Sequence, residues 1–281
     1  MHGPLMLFLP SALLVALGGV VALALFRLRY GWSCKRWLRA IRFAPAEEMS
    51  AAQLFGCLLS ANMALLEHDN FNQLESALPA KRIRAILAAH WDIDSAESCS
   101  RTLFGRLRNL GCATLEEQAA FSAWAAGSSI DSRAFASLHG VCRFLSTDAQ
   151  VVPPHRLLGH RFSMMAWDIQ QVAYMTRLGV TAGFVSRHSA EHVFDELQRH
   201  ARRACHSWND YSLSMLVGMG VRSPVDEFDV GGWFEFARSH TVLEGSRDTL
   251  LRHATPWDPA VQPASAASTS RVIEAGVSSG A

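Results

Sequence analysis

The residues best spaced for chemistry are His188, Glu191 and His192, in the string HSAEH. Two imidazoles four residues apart share one face of a helix and can hold a zinc ion, and a carboxylate beside them can activate its bound water. The helix that would carry them argues against it. Its apolar stripe is Ala190, Val193, Phe194, Leu197, Ala201 and Ala204, and at about 100° per residue both histidines point almost directly away from that stripe, alongside Arg199. A catalytic zinc needs an enclosed site with supporting ligand partners, so the expectation is a solvated pair and no metal centre.

A second candidate is Asp168. In the segment His160 to Leu178, Phe162, Met165, Ile169, Val172 and Ala173 fall on one side, with Trp167, Tyr174 and Leu178 almost opposite. A helix apolar on two sides belongs at the centre of a bundle. Asp168 borders its main apolar face, where a carboxylate must find an arginine or a set of backbone or side-chain donors. A helix-locking polar contact is favoured over catalysis. Arg177 on the same helix, Trp167 and Trp208 complete the set of polar candidates. Trp167, Trp208 and Tyr174 are expected to be core aromatics whose polar tips tie helices together. Trp91-Asp92-Ile93 echoes Trp167-Asp168-Ile169, but the first precedes a helix cap and Asp92 reads as a turn residue.

No Gly-rich phosphate loop, GxSxG elbow, paired-Cys redox motif or metal-spaced carboxylate set occurs in the 281 residues. The six cysteines, Cys34, Cys57, Cys99, Cys112, Cys142 and Cys205, form no CxxC pair and read as reduced thiols inside apolar patterns. No cofactor is called for, and an enzyme of the common motif-bearing classes is not expected. The formal charge of +1 conceals six basic residues and no acid before position 44, leaving 20 basic against 25 acidic residues beyond it. A body at about −5 lacks the basic face that nucleic-acid binding requires.

The elements that must position these residues follow helical periods, and no stretch alternates with period two. The fold class is all-α, a multi-helix globular domain preceded by one N-terminal transmembrane helix. Ser50 caps a helix through Leu66, and Ala80 to His90 forms the next. Ser95 or Asp94 opens a third, stopped by Gly111, and a Thr114/Glu117 capping box introduces a fourth. A fifth runs from Asp131 to Leu145 and the central one from His160 to Leu178, with Gly179 and Gly183 bracketing the following turn. Ser186 caps a long helix to His206, Trp208 to Val217 follows, and shorter helices lie within Gly232 to His253.

Pro4 to Phe26 carries 23 residues without a charge, longer than the roughly 20 that span a bilayer as a helix. Arg27, Arg29, Lys35, Arg36, Arg39 and Arg42 follow at once among Tyr30, Trp32, Trp37 and Phe43. Basic residues mark the cytoplasmic side and aromatics suit the headgroup layer, so the chain is expected to be a single-pass protein of the inner membrane with its domain in the cytoplasm. The expected division is an anchor with its basic juxtamembrane segment (1–43), a helical domain (44–257), and a disordered Ala, Ser, Pro and Gly-rich tail (258–281).

The order of motifs resembles the bacterial family called domain of unknown function 1266. The likeness rests on HWDIDSAES (His90 to Ser98) leading into LFGRLRNLG, AWDIQQVAYMTRLGVTAGFVS (Ala166 to Ser186), HSWNDYSLSMLVGMG (His206 to Gly220) and TPW (Thr255 to Trp257), across about residues 50 to 257. Where the resemblance implies an arginine three residues after the Asp of the WD motif, this chain has Gln171; where it implies one after Gly218, this chain has Met219. If those arginines carried an activity, part of it is lost here. The family brings no mechanism to transfer. The functional expectation is a membrane-tethered protein-interaction module, an accessory or immunity factor in a bacterial envelope or competition system. Its expected partners are membrane lipid and one protein, with no nucleic acid. The alternative is a hydrolase around Asp168 or the His188/His192 pair.

Overall fold

The computed structural model describes residues 17–22, 24, 25, 48–222, 230–244 and 257, and among these it contains helices and turns and no strand. The basic cluster Arg27, Arg29, Lys35, Arg36 and Arg39, and the tail 258–281, lie outside the described residues. Of the uncharged run Pro4 to Phe26, Leu17 to Ala22, Ala24 and Leu25 are described, as helix. No helix among the described residues is long and apolar enough to cross a membrane.

Among the described residues, ten α-helices build the domain: α1 (Ala51–Leu59), α2 (Ala61–Leu66), α3 (Ala80–Trp91), α4 (Ala96–Arg108), α5 (Leu115–Ala125), α6 (Arg133–Arg143), α7 (Met165–Thr181), α8 (Arg187–Ala204), α9 (Trp208–Arg222) and α10 (Val230–Glu244). Their starts are set by local chemistry. Ser50, Ser95 and Thr114 each accept from the backbone N–H three residues on, while Gln53, Ser98 and Glu117 reach back to the cap, which satisfies two otherwise orphaned donors at each end. Ser132 and Ser186 cap α6 and α8 through Phe135 and Ser189. Asp92 ends α3 in the left-handed conformation, φ 54°, the turn role expected of it.

The helix expected from Trp208 to Val217 runs on to Arg222, and three other boundaries differ from the sequence expectation for a tertiary reason. The helix expected from Ser50 to Leu66 breaks at Ser60, whose hydroxyl donates to the Cys57 carbonyl at 2.7 Å and also accepts from buried Arg177. The central helix begins at Met165, not His160, because His160 bonds Asp210 at 2.9 Å and the Ser163 N–H donates to Ser214 at 3.2 Å, drawing the preceding turn onto α9. Gly179 lies inside α7, not in the turn after it: a Cβ there would stand 2.8 Å from Val185 and 3.2 Å from the Cys99 sulfur.

α7 is the core of the molecule. It packs against α1, α2, α3, α4, α8 and α9, and from Ile169 to Gly179 every residue is buried. The stripe expected on α8 is buried from Ala190 to Ala201 and half-buried at Ala204, with Phe194 seated where Gly56 of α1 has no side chain.

Candidate functional site

Four places hold the candidate residues. The first surrounds Asp168. Its Oδ2 accepts from the Gly111 N–H at 2.9 Å and its Oδ1 from Arg222 Nη1 at 2.5 Å. Arg222, the last residue of α9, also donates to the Cys112 carbonyl at 2.9 Å and lies 3.5 Å from Glu117. One carboxylate therefore joins α7, α9, the α4–α5 turn and, through Glu117, the cap of α5. Both kinds of partner expected for Asp168 are present, and both of its oxygens are engaged. The sequence pattern could not name Arg222, which lies 54 residues away and carries no local signal.

The second place is buried. Arg177 is fully enclosed, with Nε donating to the Gln73 carbonyl at 2.8 Å, Nη1 to Ser60 at 3.3 Å and Nη2 to the Asn70 carbonyl. Asp69, equally enclosed, lies 3.7 Å away, and its other oxygen accepts from the Asn70 and Ala77 N–H groups at 2.9 and 2.8 Å. This pair holds the whole α2–α3 connection against the central helix. Tyr174 overturns one expectation: its hydroxyl is buried beside Asp69 with no hydrogen-bond partner, and burial pushes the phenol far above its ordinary range. Other aromatic tips do tie helices. Trp91 donates to Gln171 at 3.1 Å, Trp124 to the Leu157 carbonyl at 2.8 Å and Trp257 to the Cys205 carbonyl at 3.1 Å. Trp208 packs between Phe55 and Trp257, with ring centroids 4.7 and 4.9 Å away, and Trp167 lies edge-on to Phe236.

The third is the histidine pair. His188 and His192 are both exposed, their Nε2 atoms 3.1 Å apart, within hydrogen-bond distance of each other. Among the described residues no group of three or more His, Cys, Asp or Glu side chains is placed to hold a metal ion. Cys57, Cys99, Cys142 and Cys205 are buried and Cys112 exposed, none of the five in a disulfide, and Cys34 lies outside the described residues. Burial pushes Cys99 up to about 11 and Cys142 and Cys205 up to about 12, which keeps them protonated and unreactive.

The fourth was not foreseen. Between α4 and α8, closed at one end by Phe184 and Val185, lies an open groove of about 720 Å³. Leu103, Leu107 and Val193 line it, with Arg108 on the α4 wall and His192 and Glu196 on the α8 wall. Phe104, on the α4 wall, is 58% exposed. The sequence signal was present: Phe104 stands beside Leu103 and so widens the apolar face of α4 beyond what one packing partner covers.

Fold and site together define an all-helical domain whose polar residues join elements around one central helix, with an apolar groove open between α4 and α8. The chain belongs to the family described as Protein of unknown function (DUF1266), whose model matches residues 86–238. That span contains the two WD motifs and the α9 motif, and ends before Trp257. No curated protein and no solved structure matches the chain. Of the two family departures, Gln171 accepts from Trp91 and donates to Met63, and Met219 is buried, so both positions are spent on packing.

Proposed function

We propose that this chain is a membrane-tethered helical protein-interaction module whose working surface is the α4–α8 groove. The observation that carries the reading is the groove itself, an apolar hollow in the size range of binding sites, with a large aromatic left exposed at its edge. Support for the tether is the uncharged run Pro4 to Phe26 followed by six basic residues. Within that run Leu17, Val20, Val21 and Leu25 are 49 to 64% exposed on a helix, apolar side chains that water solvates poorly and lipid solvates well. A hydrolase around Asp168 or the histidine pair has less in its favour, since both oxygens of Asp168 are engaged in contacts that join helices and the histidines sit on an open face. An accessory or immunity role in a bacterial envelope or competition system fits such a module and predicts a toxin or secretion gene beside its own.

The test of the tether is carbonate washing of membranes from cells making the full chain, with a reporter fused after Ala281. Retention in the pellet and cytoplasmic reporter activity are expected. Release by carbonate would remove the tether, and periplasmic activity would invert the orientation. The groove is tested by Phe104→Asp, which should leave the fold intact, because the side chain is exposed, and abolish whatever association the wild-type chain makes; unchanged association would move the working surface elsewhere.

A further inference from the structure

The groove carries its own plug. Phe104 projects from the wall of the hollow it borders, so one face of the molecule presents both an aromatic projection and an apolar recess. That combination is what a two-fold symmetric interface requires, because each copy must supply the surface its partner lacks. We propose that the α4–α8 groove is occupied by the same groove of a second copy of this chain, with the two-fold axis running along the groove. The proposal rests on the reading of the groove as a protein-docking surface and names its occupant.

The direction of the axis follows from the walls. α4 and α8 run parallel. Cys99, near the start of α4, lies against Gly179 and against Val185, just ahead of α8, while at the far end Gly111 meets Asp168 near the start of α7. Thus α4 is antiparallel to α7, as is α8, which follows it through a short turn. Residues of similar advance along α4 and α8 therefore stand near one level, so Arg108 and Glu196, both lining the groove, lie within about one helical turn of each other across the opening. A two-fold axis along the groove lays α4 of one copy over α8 of the other without changing level. Arg108 then meets the second copy's Glu196, and the same contact is repeated by symmetry. An axis across the groove would instead set α4 over α4, bringing like walls together.

The charges are available for this. Arg108 makes one hydrogen bond among the described residues, from Nε to the Phe104 carbonyl at 3.3 Å, which leaves its terminal nitrogens uncommitted. Glu196 accepts from His200 at 3.0 Å and from Arg199, and a carboxylate has room for a further donor. The same axis keeps both copies pointing the same way along it, so two tethered chains reach one bilayer from the same side.

The test uses the full chain in cells, two differently tagged copies, and p-benzoylphenylalanine in place of Phe104. Irradiation is expected to yield an adduct of twice the chain mass carrying both tags. Arg108→Glu should lower its yield about tenfold, Glu196→Arg similarly, and the two together should restore most of it, as exchanged partners of an ion pair do. An adduct with a different protein would overturn the second copy as occupant and leave the docking groove standing. Absence of any adduct would overturn both readings. A double-tag adduct whose yield the charge exchange fails to restore would overturn the parallel arrangement.

Discussion

Asp168 and Arg177 sit nine residues apart on α7 and do different work. Asp168 is a lock at the edge of the core, 13% exposed, with two charge-assisted hydrogen bonds. Removing it should cost about 2 kcal/mol, or roughly 4 to 8 °C in melting temperature for a domain of this size. His188→Ala with His192→Ala should move it by less than about 2 °C, both rings being exposed; differential scanning fluorimetry of the three proteins checks this. Arg177 is a lock inside the core. Its loss strands the Asp69 carboxylate, whose Oδ2 has no hydrogen-bond partner of its own, so Arg177→Met should cost about 3 to 5 kcal/mol. Arg177→Met with Asp69→Asn should recover part of that in urea denaturation, and equal costs for the single and double variants would show that the charge pairing is not what matters. His240 sets a pH dependence. Desolvation in full burial lowers its pKa to about 4, with Nδ1 bonded to Ser212 at 2.9 Å. The unfolded chain binds this proton from about pH 6.5 and the folded chain does not until about 4, so stability is complete above 6.5 and falls as pH drops through that window. His240→Gln should flatten the decline in melting temperature between those limits.

At the scale of elements, close approach is bought with missing side chains. A Cβ on Gly56 would stand 2.1 Å from the Phe194 ring and 2.6 Å from its Cβ, so the α1–α8 contact cannot yield by moving a flexible tip. Gly56→Ala should destabilise by about 1 to 3 kcal/mol despite alanine's better helix propensity, and Gly56→Ala with Phe194→Leu should be milder, as thermal unfolding of both will show. What could be read from the sequence divides along the same line. Ser50, Ser95, Thr114 and Ser186 announced their helices because a cap is decided within four residues, and the face of α8 was readable because burial repeats with the helix period. The break at Ser60 and the late start of α7 were not, because Arg177 and Asp210 impose them from 117 and 50 residues away. The same distance hid Arg222 from Asp168 and Asp69 from Arg177, whereas the need of each for a partner was evident from its place on an apolar helix.

For the molecule as a whole, the domain's core among the described residues is supplied from Met49 onward. A truncated chain beginning at Ala44 should therefore be soluble, helical by circular dichroism and cooperative in unfolding; loss of helicity in every such truncation would show that residues before Ala44 complete the fold. The order in which the chain leaves the ribosome adds a further consequence of the central helix. α1 to α6 emerge before α7 exists, and with them the apolar faces that α7 will cover, as well as Asp69 without its arginine. At about 5 to 20 residues per second, that incomplete half must wait several seconds for the segment that organises it. A nascent chain arrested after Pro153 should then be bound by chaperones and cut readily by protease, and one arrested well beyond Arg222 should be neither, so that assembly of this domain is a late event in its synthesis and not a gradual one.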